Sequence, residues 1–353
     1  MFNRSVYQKT HGLLSSKQQA KSKTAMQPSV PVGRLIYFYL LFTIAIQTTY
    51  GSSTGLKIKR QISGNSNPYI QSGGQQVTNG MILYIDETPQ MPPLTAVSTD
   101  SVRWTITFHY RAAIANPVSF PDWTISVTSS PSFPADITLS LLTKVIGGEV
   151  TAVWKEDITG QSGQLEFKIL GKNPSKAAVF AYIDSLSSLW YTKMIAIQES
   201  KNNQVVQFGT DGYPVASYDN GYGIFQLTGC PTTPTIDQVW NWKTNVLGGV
   251  SCIANKGLDA VRLLNKQKVL SAHTVWVPLL QMNVTSYSLL PTKQVGLYCN
   301  FSDDGSTRQF WYDAEAIKLY NGGQYIKWIN GAWSFIPGQN NYVENVCNRN
   351  DQI

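Results

Sequence analysis

Glu199 closes an apolar run, Trp190-Tyr191-Thr192-Lys193-Met194-Ile195-Ala196-Ile197-Gln198, and is followed by Ser200. A carboxyl group in that place has two reasons to keep its proton. Apolar neighbours desolvate the charged form, and the C-terminal end of a helix disfavours a negative charge. A carboxylic acid still protonated near neutral pH can donate to a leaving oxygen, the first step in breaking a glycosidic bond. After a polar loop rich in Gly, Asp and Asn comes Gly221-Tyr222-Gly223-Ile224-Phe225-Gln226. Its glycines permit close backbone approach. Phe225 offers an apolar face, and Gln226 an amide that both donates and accepts. A third segment, Ala316-Ile317-Lys318-Leu319-Tyr320-Asn321-Gly322-Gly323, brings a phenol and an amide to a helix end ahead of two capping glycines. Any one segment has an ordinary structural explanation, such as a solvated Glu at a helix end. Together they predict the floor of a sugar-binding cleft with Glu199 as proton donor.

The elements that must position these residues follow from periodicity. Asn173 and Pro174 fit the N-cap and first position of a helix carrying Ala177, Ala178, Phe180, Ala181 and Ile183. A second helix runs from about Ser187 or Ser188 to Glu199. Lys243 to Leu264 is a third, and Asp313 to Tyr320 a fourth. Between the last two lies Lys266 to Gln309, predicted to be an insertion that clasps the cleft and contains a hairpin. Upstream the period is two. Val102, Trp104, Ile106, Phe108 and Tyr110 alternate with Arg103, Thr105, Thr107 and His109, and Trp123-Ile125-Val127 and Leu165-Phe167-Ile169 behave likewise. This region predicts a small antiparallel β-sandwich of immunoglobulin-like type, with no chemistry of its own and His109 as a partly exposed strand residue. The predicted architecture is α+β and multidomain: a basic leader at 1–53, a linker at 54–80, the sandwich at 81–172 and a mainly α domain at 173–353.

The chain has 353 residues and a formal charge of +7, but the charge is unevenly placed. Residues 1–60 hold nine Lys/Arg and no Asp/Glu, residues 61–174 six against nine, and residues 175–353 thirteen against twelve. The excess belongs to the leader, so no folded face carries the basic patch that nucleic acid requires. The leader runs into Leu35–Ile46, shorter than the ~20 residues of a membrane span, with small residues after it. That pattern predicts a secretory signal peptide, starting at Met1 or Met26, with an uncleaved anchor as the competing reading. The chain is therefore predicted to be exported, periplasmic or secreted, with membrane contact only through this segment. Cys230, Cys252, Cys299 and Cys347 form an even set without C-x-x-C spacing, which predicts two disulfides rather than a metal site. Three pairings are possible. Cys230–Cys252 with Cys299–Cys347 closes the shorter loops.

Glu199-Ser200, then Gly223-Ile224-Phe225-Gln226, then Ala316 to Gly323 resemble the three ordered signatures of the soluble lytic transglycosylase family: Glu-Ser, Gly-Leu-Met-Gln and Ala-Tyr-Asn-Ala-Gly. Val239 to Asn245 with Gly248-Gly249-Val250, and Tyr342-Val343-Glu344-Asn345-Val346, are similar to its connecting and closing stretches. The resemblance covers Lys193 to Val346. It implies a lysozyme-like domain that cleaves the β-1,4 bond of peptidoglycan between N-acetylmuramic acid and N-acetylglucosamine, without cofactor or metal, leaving a 1,6-anhydro end. It further implies Glu199 as acid then base, Ser200 orienting it or the glycan, and Gly223, Phe225 and Gln226 lining subsites. Tyr320 would hold Glu199 by a hydrogen bond, Asn321 would build the wall, and Tyr342 would add to the floor. Glycan strands are the implied partner, and a secretion or pilus assembly in the cell envelope a further one. Phe225, Leu319 and Gly322 depart from the family pattern, as does the insertion after Lys266. The competing functions are a hydrolytic lysozyme, with Asp211 or Asp219 as second carboxylate, and a non-catalytic peptidoglycan-binding component.

Overall fold

The computed structural model describes residues 67–349 apart from 142–143, 201–203, 231, 305, 308 and 337–340. The leader and the first part of the expected linker lie outside the described residues. The fold is mixed α/β, with several small sheets and no closed barrel.

Strands come first. They are β1 (Tyr69–Ser72), β2 (Gln75–Gln76), β3 (Ile82–Ile85), β4 (Thr95–Val97), β5 (Val102–His109), β6 (Trp123–Ser129), β7 (Ala135–Asp136), β8 (Gly148–Glu156) and β9 (Ser162–Gly171). One sheet has the order β2-β1-β4-β7 and the other β3-β9-β8-β5-β6. The period-two pattern read from β5 is the burial pattern found: Val102, Trp104, Ile106 and Phe108 point inward and Arg103, Thr105 and His109 outward. Ile70 and Ala96 of the first sheet join Ile106, Val150 and Phe167 of the second in one apolar core, the arrangement two half-apolar sheets adopt to bury their inner faces. One expectation is narrowed and one needs correction. Within 54–80, read as a linker or a ragged first strand, Tyr69–Ser72 and Gln75–Gln76 are the strands β1 and β2; β1 lies between β2 and β4 and turns one apolar residue, Ile70, into the core. The sheets are not wholly antiparallel, because β3 pairs parallel with β9. All of β4 to β8 lies between them, which supplies the long crossover a parallel pair requires.

Helices follow: α1 (Lys176–Leu186), α2 (Thr192–Glu199), α3 (Ile236–Trp240) and α4 (Trp242–Leu270). Ser175, not Asn173, caps α1 by accepting the Ala178 N–H. Asn173 instead accepts the N–H groups of Gln207 and Phe208, both at 2.8 Å. Helix α4, capped by Asn241, is the spine, and buries Asn245, Val246, Gly249, Val250, Ile253, Ala260 and Leu264 along one stripe. The predicted insertion begins as five more residues of α4, Lys266 to Leu270. It continues as the hairpin β10 (Ala272–Val277) and β11 (Met282–Tyr287), then β12 (Lys293–Val295), β13 (Cys299–Ser302) and β14 (Gln309–Phe310). Helix α5 (Trp311–Tyr320), the hairpin β15 (Ile326–Ile329) and β16 (Ala332–Phe335), and α6 (Tyr342–Cys347) complete the order. Among the described residues no helix is long and apolar enough to cross a membrane.

Cys230 bonds Cys252, and Cys299 bonds Cys347. Two such bonds are those of a chain matured in an oxidising, exported environment. The expected boundary at residue 172 falls where strands give way to helices, yet packing runs across it. Phe208, Tyr222, Val239 and Trp240 belong to the core of the sheets. Trp240 meets Tyr110 edge to face at 5.1 Å, and a side chain on Gly147 would strike the Trp240 ring, 2.5 Å from an added Cβ.

Candidate active site

Helix α2 delivers Glu199 from a buried base: Met194, Ile195, Ala196 and Ile197 are all in the core. The helix ends there because Ser200 turns extended, its N–H still bonded to the Ala196 carbonyl. The Glu199 carboxyl keeps part of its surface open to a cleft while protein crowds the rest. Burial pushes its pKa up to about 7. A hydrogen bond donated by Tyr342 to Oε1 pulls the other way, and the charge of Asp219 adds to the rise.

The roles of the two phenols differ from those the resemblance implied. Tyr320 does not hold Glu199. Its hydroxyl donates to the Phe225 carbonyl at 2.6 Å, because α5 approaches the 223–227 turn from the side. Tyr342, at the start of α6, makes the bond to Glu199 instead. Burial, and then the Glu199 charge, push both phenols well above their ordinary value, so both remain donors throughout the working pH range.

The Gly223–Gln226 strip is held from beneath by two buried amides. Gln207 Oε1 accepts the Ile224 N–H at 3.2 Å, and Asn245 Oδ1 accepts the Phe225 N–H at 3.0 Å. Asn245 Nδ2 donates to the Tyr222 carbonyl at 2.8 Å, and Gln207 Nε2 to the Val239 carbonyl at 2.7 Å. Gly223 has φ +73°, and an added Cβ would lie 2.4 Å from Gln207 Oε1, so the position requires glycine on both counts. Phe225 is no subsite face: it is wholly buried and packs against Gly249, where an added Cβ would come within 2.2 Å of its ring. Its contribution to the site is the carbonyl that Tyr320 binds. Ser200 is buried and its hydroxyl accepts the Val206 N–H at 2.8 Å, which shapes the loop after α2. Gln226 reaches the cleft, with Nε2 on the Gly223 carbonyl at 2.7 Å. Asn321 stands exposed at the end of α5, accepting from Lys318 at 3.3 Å.

Glu199, Ser217 and Gln226 are common to two halves of one groove. The smaller half, about 430 Å3, is lined by Asp219, Thr228, the Cys230–Cys252 bond, Lys256, Tyr320 and Asn321. The larger, about 710 Å3, has His109 and Glu149 of the sheet, with Tyr110 and Arg111 just after β5, on one side, and Asp211, Tyr213 and Val215 on the other. The strands, read as having no chemistry, supply a wall of the groove. No local signal in the sequence marks Arg111 or Glu149 for this, since both are ordinary outward residues of a sheet region. Gln207 and Asn245 carry no motif either, although a polar residue on the apolar stripe of α4 is the kind of mismatch that flags a buried hydrogen-bonding role. Among the described residues no grouping of His, Cys, Asp and Glu has the geometry of a metal site. Comparison with protein-family models, curated proteins and solved structures gives no match to this chain.

Proposed function

We propose that the protein is a lytic transglycosylase acting on peptidoglycan in the periplasm or outside the cell, with a lysozyme-like arrangement of its helices around Glu199. The observation that carries this reading is one carboxylic acid, with a pKa raised to about 7, at the junction of two groove halves. A polymer lying through such a groove presents one linkage to one acid. Protonated Glu199 donates to the glycosidic oxygen between muramoyl and glucosaminyl units, and the C1–O bond breaks. The resulting carboxylate takes the proton from the muramoyl 6-hydroxyl, whose oxygen closes on C1. No water is consumed, and the carboxyl is restored. Tyr342 orients Oε1 and moderates the charge that appears on Glu199 between the two transfers. The Tyr320–Phe225 bond fixes the turn that carries Gln226, whose amide faces the glycan.

A hydrolytic reading has one observation in its favour. Asp219 lines the same groove and raises the Glu199 pKa through its charge, so it stands where a second carboxylate could direct water. Asp211 is less suited, since it accepts the Tyr213 N–H in a turn. Digestion of purified sacculi, read by mass, decides between the two. Transglycosylase products lack one water relative to hydrolysed ones, and Glu199→Gln reduces turnover by at least about a hundredfold. Undiminished activity in Glu199→Gln rejects the site. Hydrated products from wild type, lost in Asp219→Asn, would establish the hydrolase.

A further inference from the structure

The wall that the sheets contribute is built rather than incidental. Tyr213 donates to Glu149 at 2.5 Å, Gly171 N–H to the Gly212 carbonyl at 2.8 Å, and Val118 N–H to Asn220 Oδ1 at 3.0 Å. Tyr110 and Tyr213 lie nearly parallel, 6.4 Å apart, beneath this seam. The 209–221 loop is thus fastened to β8, to β9 and to the connection between β5 and β6, and the larger half of the groove has two fixed sides.

The charges on those sides are not all spoken for. Glu149 is paired with Lys168 at 2.9 Å, and Asp122 faces His109 at 2.5 Å. Arg111 is exposed and has no ion-pair partner among the described residues. Asp211 is exposed, accepts one backbone N–H, and has no cationic partner among them. An N-acetylated glycan whose lactyl groups are amide-linked carries no formal charge, so it leaves both groups unused. The peptide stem attached to that lactyl group does carry charge: free carboxylates and, on a diamino-acid residue, an ammonium.

We infer that the larger groove half, between the sheet region and the 209–221 loop, is a recognition site for the stem peptide of peptidoglycan, with the Arg111 guanidinium on one side taking a stem carboxylate and Asp211 on the other the side-chain ammonium. The planar fork of Arg suits a carboxylate pair better than a point charge does. The inference rests on the peptidoglycan reading of Glu199 and adds to it the part of the substrate that the strands select.

The test is isothermal titration of the full-length protein with a synthetic stem tetrapeptide containing diaminopimelate. Wild type binds it, and Arg111→Ala and Asp211→Asn each weaken binding by about tenfold, the size of one charge-assisted hydrogen bond. Arg111 is exposed, so its loss does not threaten the fold. A parallel measurement compares cleavage of stem-bearing chains with amidase-stripped chains. Wild type favours the former, and the ratio falls about tenfold in Arg111→Ala. Absence of binding to wild type at millimolar peptide, or equal binding by wild type and Arg111→Ala, overturns the inference while glycan cleavage stands. Binding reads without turnover. A protein that holds the peptide through Arg111 but cuts no glycan would therefore overturn the proposed activity and leave the stem site in place.

Discussion

Two neighbours pull the Glu199 proton in opposite directions, and each pull is measurable. Tyr342 donates to the carboxylate and so favours its charged form; Asp219 repels that charge. In the proposed reaction Glu199 is the general acid and must hold its proton when substrate binds, so kcat/KM is expected to fall as pH rises through about 7, the Glu199 value. Removing the donor in Tyr342→Phe lifts that pKa further, and the alkaline limb of the pH–rate profile moves up by about one unit. Removing the repelling charge in Asp219→Asn moves the limb down. Limbs that stay fixed in both variants would show that another group controls the profile. At this scale the sequence was partly legible. The end of an apolar helical run gave the sign of the Glu199 shift, and only the three segments together singled the residue out. The partner was not legible, because Tyr320 and Tyr342 both stand near the carboxyl, and only the approach angles of α5 and α6 decide which hydroxyl reaches it.

The 222–227 turn is an element with almost no regular structure of its own, and it holds its shape because α4 supplies an amide at the right height. Asn245→Ala would strand the Phe225 N–H in the core and remove one of the two donors to the Tyr222 carbonyl, which keeps the Leu227 N–H. We expect a loss of about 2 kcal/mol in urea unfolding, in line with one buried unsatisfied group; a change below about 0.5 kcal/mol would mean that the turn is held by other means. Regular elements were the more readable ones. The β5 alternation appears as the burial pattern found, and α4 differs from its predicted span mainly at its C-terminal end. The hairpin of β15 and β16 went unread although Asn330-Gly331, both at positive φ, is a strong turn signal between its strands. Polar β1 and β2 were readable only as a linker or a ragged first strand, since one inward residue makes no period.

Across the molecule, the two parts that differ in secondary structure share a core, and their separation should fail. A chain beginning at residue 173 would expose Trp240, Phe208 and Tyr222, which are buried against the sheets. It is expected to aggregate or to lack a cooperative transition by differential scanning calorimetry; a sharp transition near that of the full chain would refute the shared core. Three acids with raised pKa also make global stability depend on pH. Burial lifts Glu199 and Glu315 to about 7 and Asp313 to about 6. The folded chain holds these protons more tightly than the unfolded chain, so their stabilising effect is complete below the unfolded values and is lost as pH rises through the folded ones. Tm is expected to drop by about 5 °C between pH 5 and pH 8, and Glu315→Gln to flatten that slope. The groove itself was not legible, because it joins residues near 110 and 149 to residues near 211 and 226, and no local pattern records that meeting.

The bond from Tyr342 ties the Glu199 carboxyl to helix α6. That helix is itself anchored by the Cys299–Cys347 link, which thiol-rich cytosol keeps open. A reduced chain therefore lacks the covalent anchor of the helix whose phenol holds the Glu199 carboxyl.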